Sequence, residues 1–404
     1  MRILIAAPSS STALSGVGRH ALNLARCLLD HPAVDKVDLV VAPWQRELFA
    51  GSAVSSSPRF NLHVAAMRSG SFHRNLWYYR RLPALAAVLG ADIVHLAYPV
   101  PVNRAAFTAP TVLTLHDLYP YEIPSNFGFP RALFNQAILQ QCLRNVDSIA
   151  CVSESTRLLL SRYASGGVQA KACRIYNCVD RPLEAAAGTP IQGWEQQPFL
   201  LTVAQHRSNK NLPFLVQVFD RLLQSGSIDR SMRLLVLGIA GPETRRIQQT
   251  IERTGLGDNV ALMEGLPEAQ LQWAYRNCSA LVAPSITEGF GLPVAEALLA
   301  GCRVVCSDIP AFREIGLDHC RFIPLDREAE GRFAQAIAAA IAQPPATPVS
   351  LPQLSSSRIA EQYVRLYRSL LLSPQPAPET TLPSSPAATR MSSPHEKNKA
   401  LSFN

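Results

Sequence analysis

Short apolar runs recur along this chain, and between them apolar positions return every three or four residues. The runs read as strands at Arg2–Ala7, Val37–Val41, Ile93–His95, Val112–Leu115, Ser148–Val152 and Cys173–Ile175 in the first half. In the second half they fall at Phe199–Val203, Leu234–Leu237, Val260–Met263, Ala280–Ala283 and Arg303–Cys306. The periodic stretches read as helices at Gly18–Leu29, Arg131–Leu143 and Ser153–Tyr163, then at Leu212–Leu223, Glu243–Thr254, Ala269–Arg276, Pro293–Ala300 and Arg332–Ala342. Strands alternating with helices in this way build parallel sheets covered on both faces, so the expected class is α/β, two doubly wound domains with a cleft between them.

The pattern breaks in three places. Residues 181–198 hold Pro182, Gly188, Pro190 and Gly193 with little periodicity and read as a linker between domains at 1–180 and 199–356. After a second irregular stretch from Pro344 to Ser357, an amphipathic helix is expected over Arg358–Leu371, within 357–372. Residues 373–404, with six Pro and six Ser in 32 positions, are expected to be a disordered tail.

Composition narrows the class. At 404 residues, 48% hydrophobic and 17% charged, the chain has the length and apolar content for two globular domains. The net charge of +8 is concentrated in residues 1–180, where 17 Lys and Arg face 10 Asp and Glu. No compact basic run or aromatic-rich RNA motif accompanies that excess, so a nucleic-acid partner is not expected, and an anionic lipid surface or phosphate-bearing acceptor fits better. Nine cysteines without a CxxC pair read as reduced core residues of a cytoplasmic protein. The start, Met1 to Pro8, reads as a buried strand and not as a signal peptide, and the apolar region Leu82 to Val102 is broken by Asp92, His95 and Pro99, so no membrane span is expected.

The segment Glu288-Gly289-Phe290-Gly291-Leu292-Pro293-Val294-Ala295-Glu296 carries the most chemistry. Its glycines permit positive φ or close approach of a ligand, Pro293 suits the first turn of a helix, and the unpaired amides of that turn suit a phosphate. Glu288 and Glu296 are placed to flank what the amides hold, and carboxylates accept hydrogen bonds from sugar hydroxyls. The pattern points to a phosphate with sugar on both sides, a nucleotide sugar. Continued to Asp308, it resembles the retaining glycosyltransferases of family 4, group 1, with the GT-B fold of two Rossmann-like domains, and the resemblance covers about residues 1–371.

That resemblance implies an acceptor-side N-terminal domain, a nucleotide-sugar C-terminal domain and a last helix that crosses back to the first. It implies that Arg207 and Lys210, in Gln205-His206-Arg207-Ser208-Asn209-Lys210, hold the diphosphate together with the amides of Phe290, Gly291 and Leu292. Glu288 would bind the sugar, Glu296 the ribose, and His116, after strand Val112–Leu115, the sugar near its anomeric carbon. Asp117 is left between orienting the acceptor, orienting the histidine and capping a turn. Gly16 and Gly18 resemble the family's glycine-rich loop beside the donor phosphates. Ser153 reads as a helix cap. The usual family glycine is replaced by Ala204 or Gln205, and by Cys178 in Asn177-Cys178-Val179-Asp180.

The implied reaction moves a hexose, best matched by mannose from GDP-mannose, to a glycan or lipid-linked glycan, with the leaving phosphate as base on the same face of the sugar. No cofactor is needed, since the nucleotide sugar is a substrate, and no Asp-x-Asp pair or His/Cys/Asp cluster implies a metal. A nucleotide-sugar epimerase of the same fold is the alternative, and an NAD-dependent oxidoreductase is disfavoured by the long Pro8 to Ser15 loop before Gly16. Arg74, Trp77, Arg80 and Arg81, in the aromatic and arginine-rich run from Met67, have two readings: a face toward an anionic membrane or lipid-linked acceptor, or an ordinary surface helix whose aromatics face the core.

Overall fold

The computed structural model describes residues 1–51, 53–180, 188–344 and 346–372. The expected tail, and residues 181–187 of the expected linker, lie outside the described residues. Among the described residues, thirteen strands form two wholly parallel sheets. The first contains β1 (Arg2–Ala6), β2 (Lys36–Val41), β3 (Phe60–Val64), β4 (Ile93–Leu96), β5 (Thr111–Leu115), β6 (Ser148–Cys151) and β7 (Ala172–Arg174) in the order β3-β2-β1-β4-β5-β6-β7. The second contains β8 (Phe199–Val203), β9 (Arg233–Leu237), β10 (Val260–Met263), β11 (Ala280–Ala283), β12 (Val304–Ser307) and β13 (Cys320–Ile323) in the order β10-β9-β8-β11-β12-β13.

The central strands are almost wholly buried and mostly apolar because helices cover both faces. In β1, Ile3 and Ile5 face a core shared with helices Gly16–Leu29 and Ser356–Leu372, while Leu4 and Ala6 face helices Ser71–Arg80, Leu82–Leu89 and Arg131–Asn145. The first of these cores continues into the second sheet through Phe199, Leu201 and Leu281 and the helix Leu292–Ala300, so one apolar body joins the two halves. The last helix does cross back: Tyr363 and Tyr367 are fully buried against His95 of β4, with ring centroids at 5.3 and 6.0 Å.

Two junctions fix that return. Asp180 accepts from Arg26 Nη2 at 2.8 Å and from the Ser356 amide at 2.9 Å, and also from the Ser356 hydroxyl. Glu314, from the second half, accepts from the amides of Glu154 and Ser155 at 2.7 and 3.1 Å, placing a carboxylate on the positive end of helix Glu154–Tyr163. Within the described residues no helix is long and apolar enough to cross a membrane.

Candidate active site

The turn after β11 is built around two glycines with different duties. Gly291 has φ +101° and caps helix Leu292–Ala300, whose first turn holds Pro293; a Cβ on Gly291 would meet the Phe312 ring at 2.9 Å. Gly289 has no positive φ. A Cβ there would lie 1.6 Å from the His116 carbonyl oxygen, so its smallness lets the two halves of the molecule touch backbone to backbone. The close approach expected for a ligand is thus, at this glycine, an approach to the opposite half. The Gly289 carbonyl then accepts from Ser153 Oγ at 2.5 Å and Thr156 Oγ1 at 3.0 Å. Ser153 also accepts from the Thr156 amide, so the expected cap is present, and its hydroxyl additionally ties helix to turn.

Glu288, just before this turn, collects three donors. Lys210 Nζ lies 2.5 Å from Oε1, Ser285 Oγ donates to the same oxygen at 2.7 Å, and Tyr119 OH donates to Oε2 at 3.2 Å from the opposite half. Lys210 and Glu288 therefore form one ion pair, where the sequence placed them on separate parts of a donor. The Lys210 and Glu288 side chains also line a cavity of about 10 Å³ with Thr202, Ser285 and Pro293, below the start of the helix. Glu296, on that helix, accepts from Tyr275 OH at 2.7 Å; burial pushes its carboxyl up, opposed by Arg19. Arg19 reaches over from helix Gly16–Leu29 to Glu268 at 2.7 Å.

The facing wall is the end of β5. His116 Nε2 lies 2.9 Å from the Ala97 carbonyl, which only accepts, so Nε2 carries the hydrogen and Nδ1 is left as an acceptor. Burial lowers its pKa to about 4. His20 stands edge-on to it at 4.8 Å, and burial also drives down His20 and His95, the latter to about 3, so the trio is uncharged at neutral pH. His20 and His95 both contact Thr114 Oγ1, at 3.1 and 2.7 Å. Asp117 accepts from the Tyr119 amide at 3.1 Å, the turn-capping outcome of its three readings. Burial raises its carboxyl to about 6, with Arg207 of the opposite half pulling it down, and Glu288 of that half and Glu122 of its own loop pushing it up.

The loop after β5 also carries contacts that the sequence did not single out. Asn126 accepts from the Ser208 amide and hydroxyl at 3.1 and 2.7 Å, and Thr287 donates to Glu122 at 3.2 Å. Tyr119, Arg19 and Tyr275 were equally unassigned. Arg19 directly follows Gly18 and Tyr119 lies two residues past Asp117, but only three-dimensional proximity reveals their partners. At the glycine-rich loop itself, Ser15 Oγ accepts from the Gly18 amide at 3.4 Å. A Cβ on Gly18 would meet Leu14 Cδ1 at 3.0 Å, whereas one on Gly16 would meet open space.

The arginine and aromatic run divides in two. Helix Ser71–Arg80 buries Trp77 and Tyr78 against the first sheet, which corrects the placement of Trp77 on an acceptor or membrane face: the indole belongs to the core. Arg80 and Arg81 are exposed, Arg74 is half-buried, and Phe72, Leu76 and Tyr79 share the outer face of the helix, Phe72 being 73% exposed.

Residues 14–181 match the family described as Glycosyltransferase Family 4, and residues 190–348 match Glycosyl transferases group 1. The chain belongs to the family 4, group 1 glycosyltransferases. This glycosyltransferase is 24% identical over 229 residues to an O-antigen chain mannosyltransferase, RfbU, of Salmonella typhimurium, covering 55% of this chain and 59% of that relative's length. It is 24% identical over 322 residues to a GDP-mannose:cellobiosyl-diphosphopolyprenol alpha-mannosyltransferase of Xanthomonas campestris, covering 74% of this chain and 81% of the relative. Sucrose-phosphate synthase from Thermosynechococcus elongatus shares the glycosyltransferase's GT-B fold, with a TM-score of 0.65 at 18% identity over 91% of this chain and 98% of that one.

Proposed function

We propose that this glycosyltransferase moves mannose from GDP-mannose, with retention at the anomeric carbon, to a hydroxyl of a glycan or lipid-linked glycan. The observation that carries the reading is Glu288, held by Lys210, Ser285 and Tyr119, with Asp117 of the opposite half near enough to feel its charge. In this reading Glu288 accepts from donor-sugar hydroxyls, and Lys210 links that carboxylate to the diphosphate. Arg207 and the amides of Phe290, Gly291 and Leu292 complete the phosphate site, Glu296 takes the ribose, and His116 offers Nδ1 to a sugar hydroxyl. Gly16 gives the phosphates room beside the first helix.

The bond between the anomeric carbon and the phosphate oxygen breaks as the acceptor oxygen bonds to that carbon on the same face. The acceptor proton passes to the departing phosphate oxygen. Lys210 and Arg207 stabilise the charge that develops there. The mannosyl donor is supported by the two mannosyltransferase relatives, and a lipid-linked acceptor by the name of the second. The exposed face of Phe72, Leu76, Tyr79, Arg80 and Arg81 suits peripheral contact with an anionic membrane.

The test is turnover of GDP-mannose against UDP-glucose and GDP-glucose, with product anomer read by NMR. Mannosyl transfer or slow hydrolysis confined to GDP-mannose, with an α-product, is expected. Turnover of another donor only, or an epimerised sugar nucleotide formed without acceptor, overturns the reading. Arg207→Ala and Lys210→Ala should each weaken GDP at least tenfold while leaving guanosine within twofold, since a charge-assisted phosphate contact is worth about 1.5–3 kcal/mol.

A further inference from the structure

Two donors on one helix turn lack acceptors. Arg74 Nε and Asn75 Nδ2 of helix Ser71–Arg80 are buried atoms with no hydrogen-bond partner, and among the described residues no carboxylate pairs with Arg74. Buried N–H groups without an acceptor are rare in folded proteins, and they mark places where a further oxygen belongs. Here the surroundings say which kind.

Tyr78 OH donates to the Pro8 carbonyl at 3.0 Å, and Tyr98 OH donates to the same oxygen at 2.5 Å. Burial raises both phenols, and the positive charge of Arg74 pulls both back, so the cation is in their neighbourhood. Pro8 follows β1 and Tyr98 follows β4, neighbouring strands of a parallel sheet whose carboxyl ends face the cleft. Ala97, next to Tyr98, is the residue whose carbonyl holds His116. Arg74 thus belongs to the carboxyl-end side of the first sheet, in the neighbourhood of Tyr98, which follows in the chain the residue that holds His116.

We propose that Arg74 and Asn75 form an anion subsite for a phosphate carried by the acceptor, distinct from the donor diphosphate site at Arg207 and Lys210. This rests on the glycosyltransferase reading above and narrows its acceptor to one bearing a phosphate or diphosphate close to the hydroxyl that is glycosylated. A planar guanidinium with a free Nε matches two oxygens of such a group, and the excess of 17 basic over 10 acidic residues in this half draws it in.

The probe is inorganic pyrophosphate titrated calorimetrically into protein saturated with GDP, which occupies the donor phosphate site. The wild-type protein should bind one equivalent, more weakly as salt rises. Arg74→Gln should weaken that binding at least tenfold, Arg74→Lys by less, and Asn75→Ala severalfold, with GDP affinity retained as the check on folding. Unchanged pyrophosphate affinity in Arg74→Gln and Asn75→Ala, or no binding by wild type under saturating GDP, overturns the subsite. Because the titration needs no turnover, a protein that binds pyrophosphate through Arg74 but leaves GDP-mannose untouched keeps the subsite and loses the proposed donor. Among acceptors, an alkyl glycosyl diphosphate should show a KM raised at least tenfold by Arg74→Gln. Equal KM changes for that compound and for a neutral alkyl glycoside count against the phosphate.

Discussion

Glu288 holds three hydrogen-bond donors from two halves of the molecule, and the removal of its carboxylate separates binding from chemistry. Glu288→Ala should cut transfer at least 100-fold, on the order of 3 kcal/mol of transition-state stabilisation. The GDP affinity should hold or rise, because Lys210 is released toward the phosphates; a GDP affinity lost in step with transfer would return both residues to a structural pair. Asp117 makes a different kind of prediction. Its carboxyl titrates near 6 in the fold against an ordinary value near 4, so its ionised form costs stability above about pH 6, and the cost vanishes as pH falls below about 4. Asp117→Asn should therefore stabilise the protein at pH 7, by on the order of 2 kcal/mol, and do nothing at pH 4. Denaturant midpoints at the two pH values read this directly, and a variant destabilised at pH 7 would mean that the carboxylate is favourably held.

At the scale of elements, the glycine-rich turn is where the two halves meet. Gly289→Ala places a methyl carbon on the His116 carbonyl, and neither backbone has room to yield without parting the halves. Transfer should fall at least 100-fold while GDP, held by the second half, still binds within about threefold, because only near-attack geometry is lost. Comparable loss of both would place the damage in the turn itself.

The sequence made Gly291 and Pro293 legible, since positive φ and a first-turn proline are local matters, but the clash that explains Gly289 spans 173 positions between His116 and Gly289. The same limit governs the strands. Buried central strands were readable as apolar runs, whereas β3 (FNLHV) and β13 (CRFI) were missed: both are sheet edges, covered less completely, and their polar positions interrupt the run. Glu288, Lys210 and His116 could be singled out by motif, but their partners Tyr119, Ser285 and Ala97 could not, because ordinary residues at loop positions acquire meaning only from what folds against them. Trp77 shows the converse: an aromatic among arginines fits an interface or a helix with its aromatics turned inward, and only the helical phase against the sheet decides for the core.

For the whole molecule, charge and exposed apolar surface coincide on one side. Helix Ser71–Arg80 presents Phe72, Leu76 and Tyr79 outward with Arg80 and Arg81 at its end, in the half that carries the basic excess. Binding to anionic vesicles should follow and weaken with salt, since exposed charges are screened over about 10 Å at 0.1 M. Replacing Arg80 and Arg81 by Gln should cost about 1 kcal/mol each, and Phe72→Ser should add to it, with neutral vesicles unaffected. Co-sedimentation of wild type at low salt decides the matter: no binding to anionic vesicles makes this an ordinary solvated face and the acceptor a soluble one.

The return of helix Ser356–Leu372 to the first sheet has a consequence for anyone who recombines such enzymes. The first half is discontinuous in the chain, assembled from its opening residues and its last described helix, with Asp180 tying Ser356 to Arg26 where the two pieces rejoin. A chimera that takes everything after residue 180 from another parent would set foreign side chains in the places of Tyr363 and Tyr367, against His95 and beside Thr114. The workable exchange is an insertion with two seams, one after Asp180 and one before Ser356, so that a new second half arrives while the native tyrosines stay where they were packed.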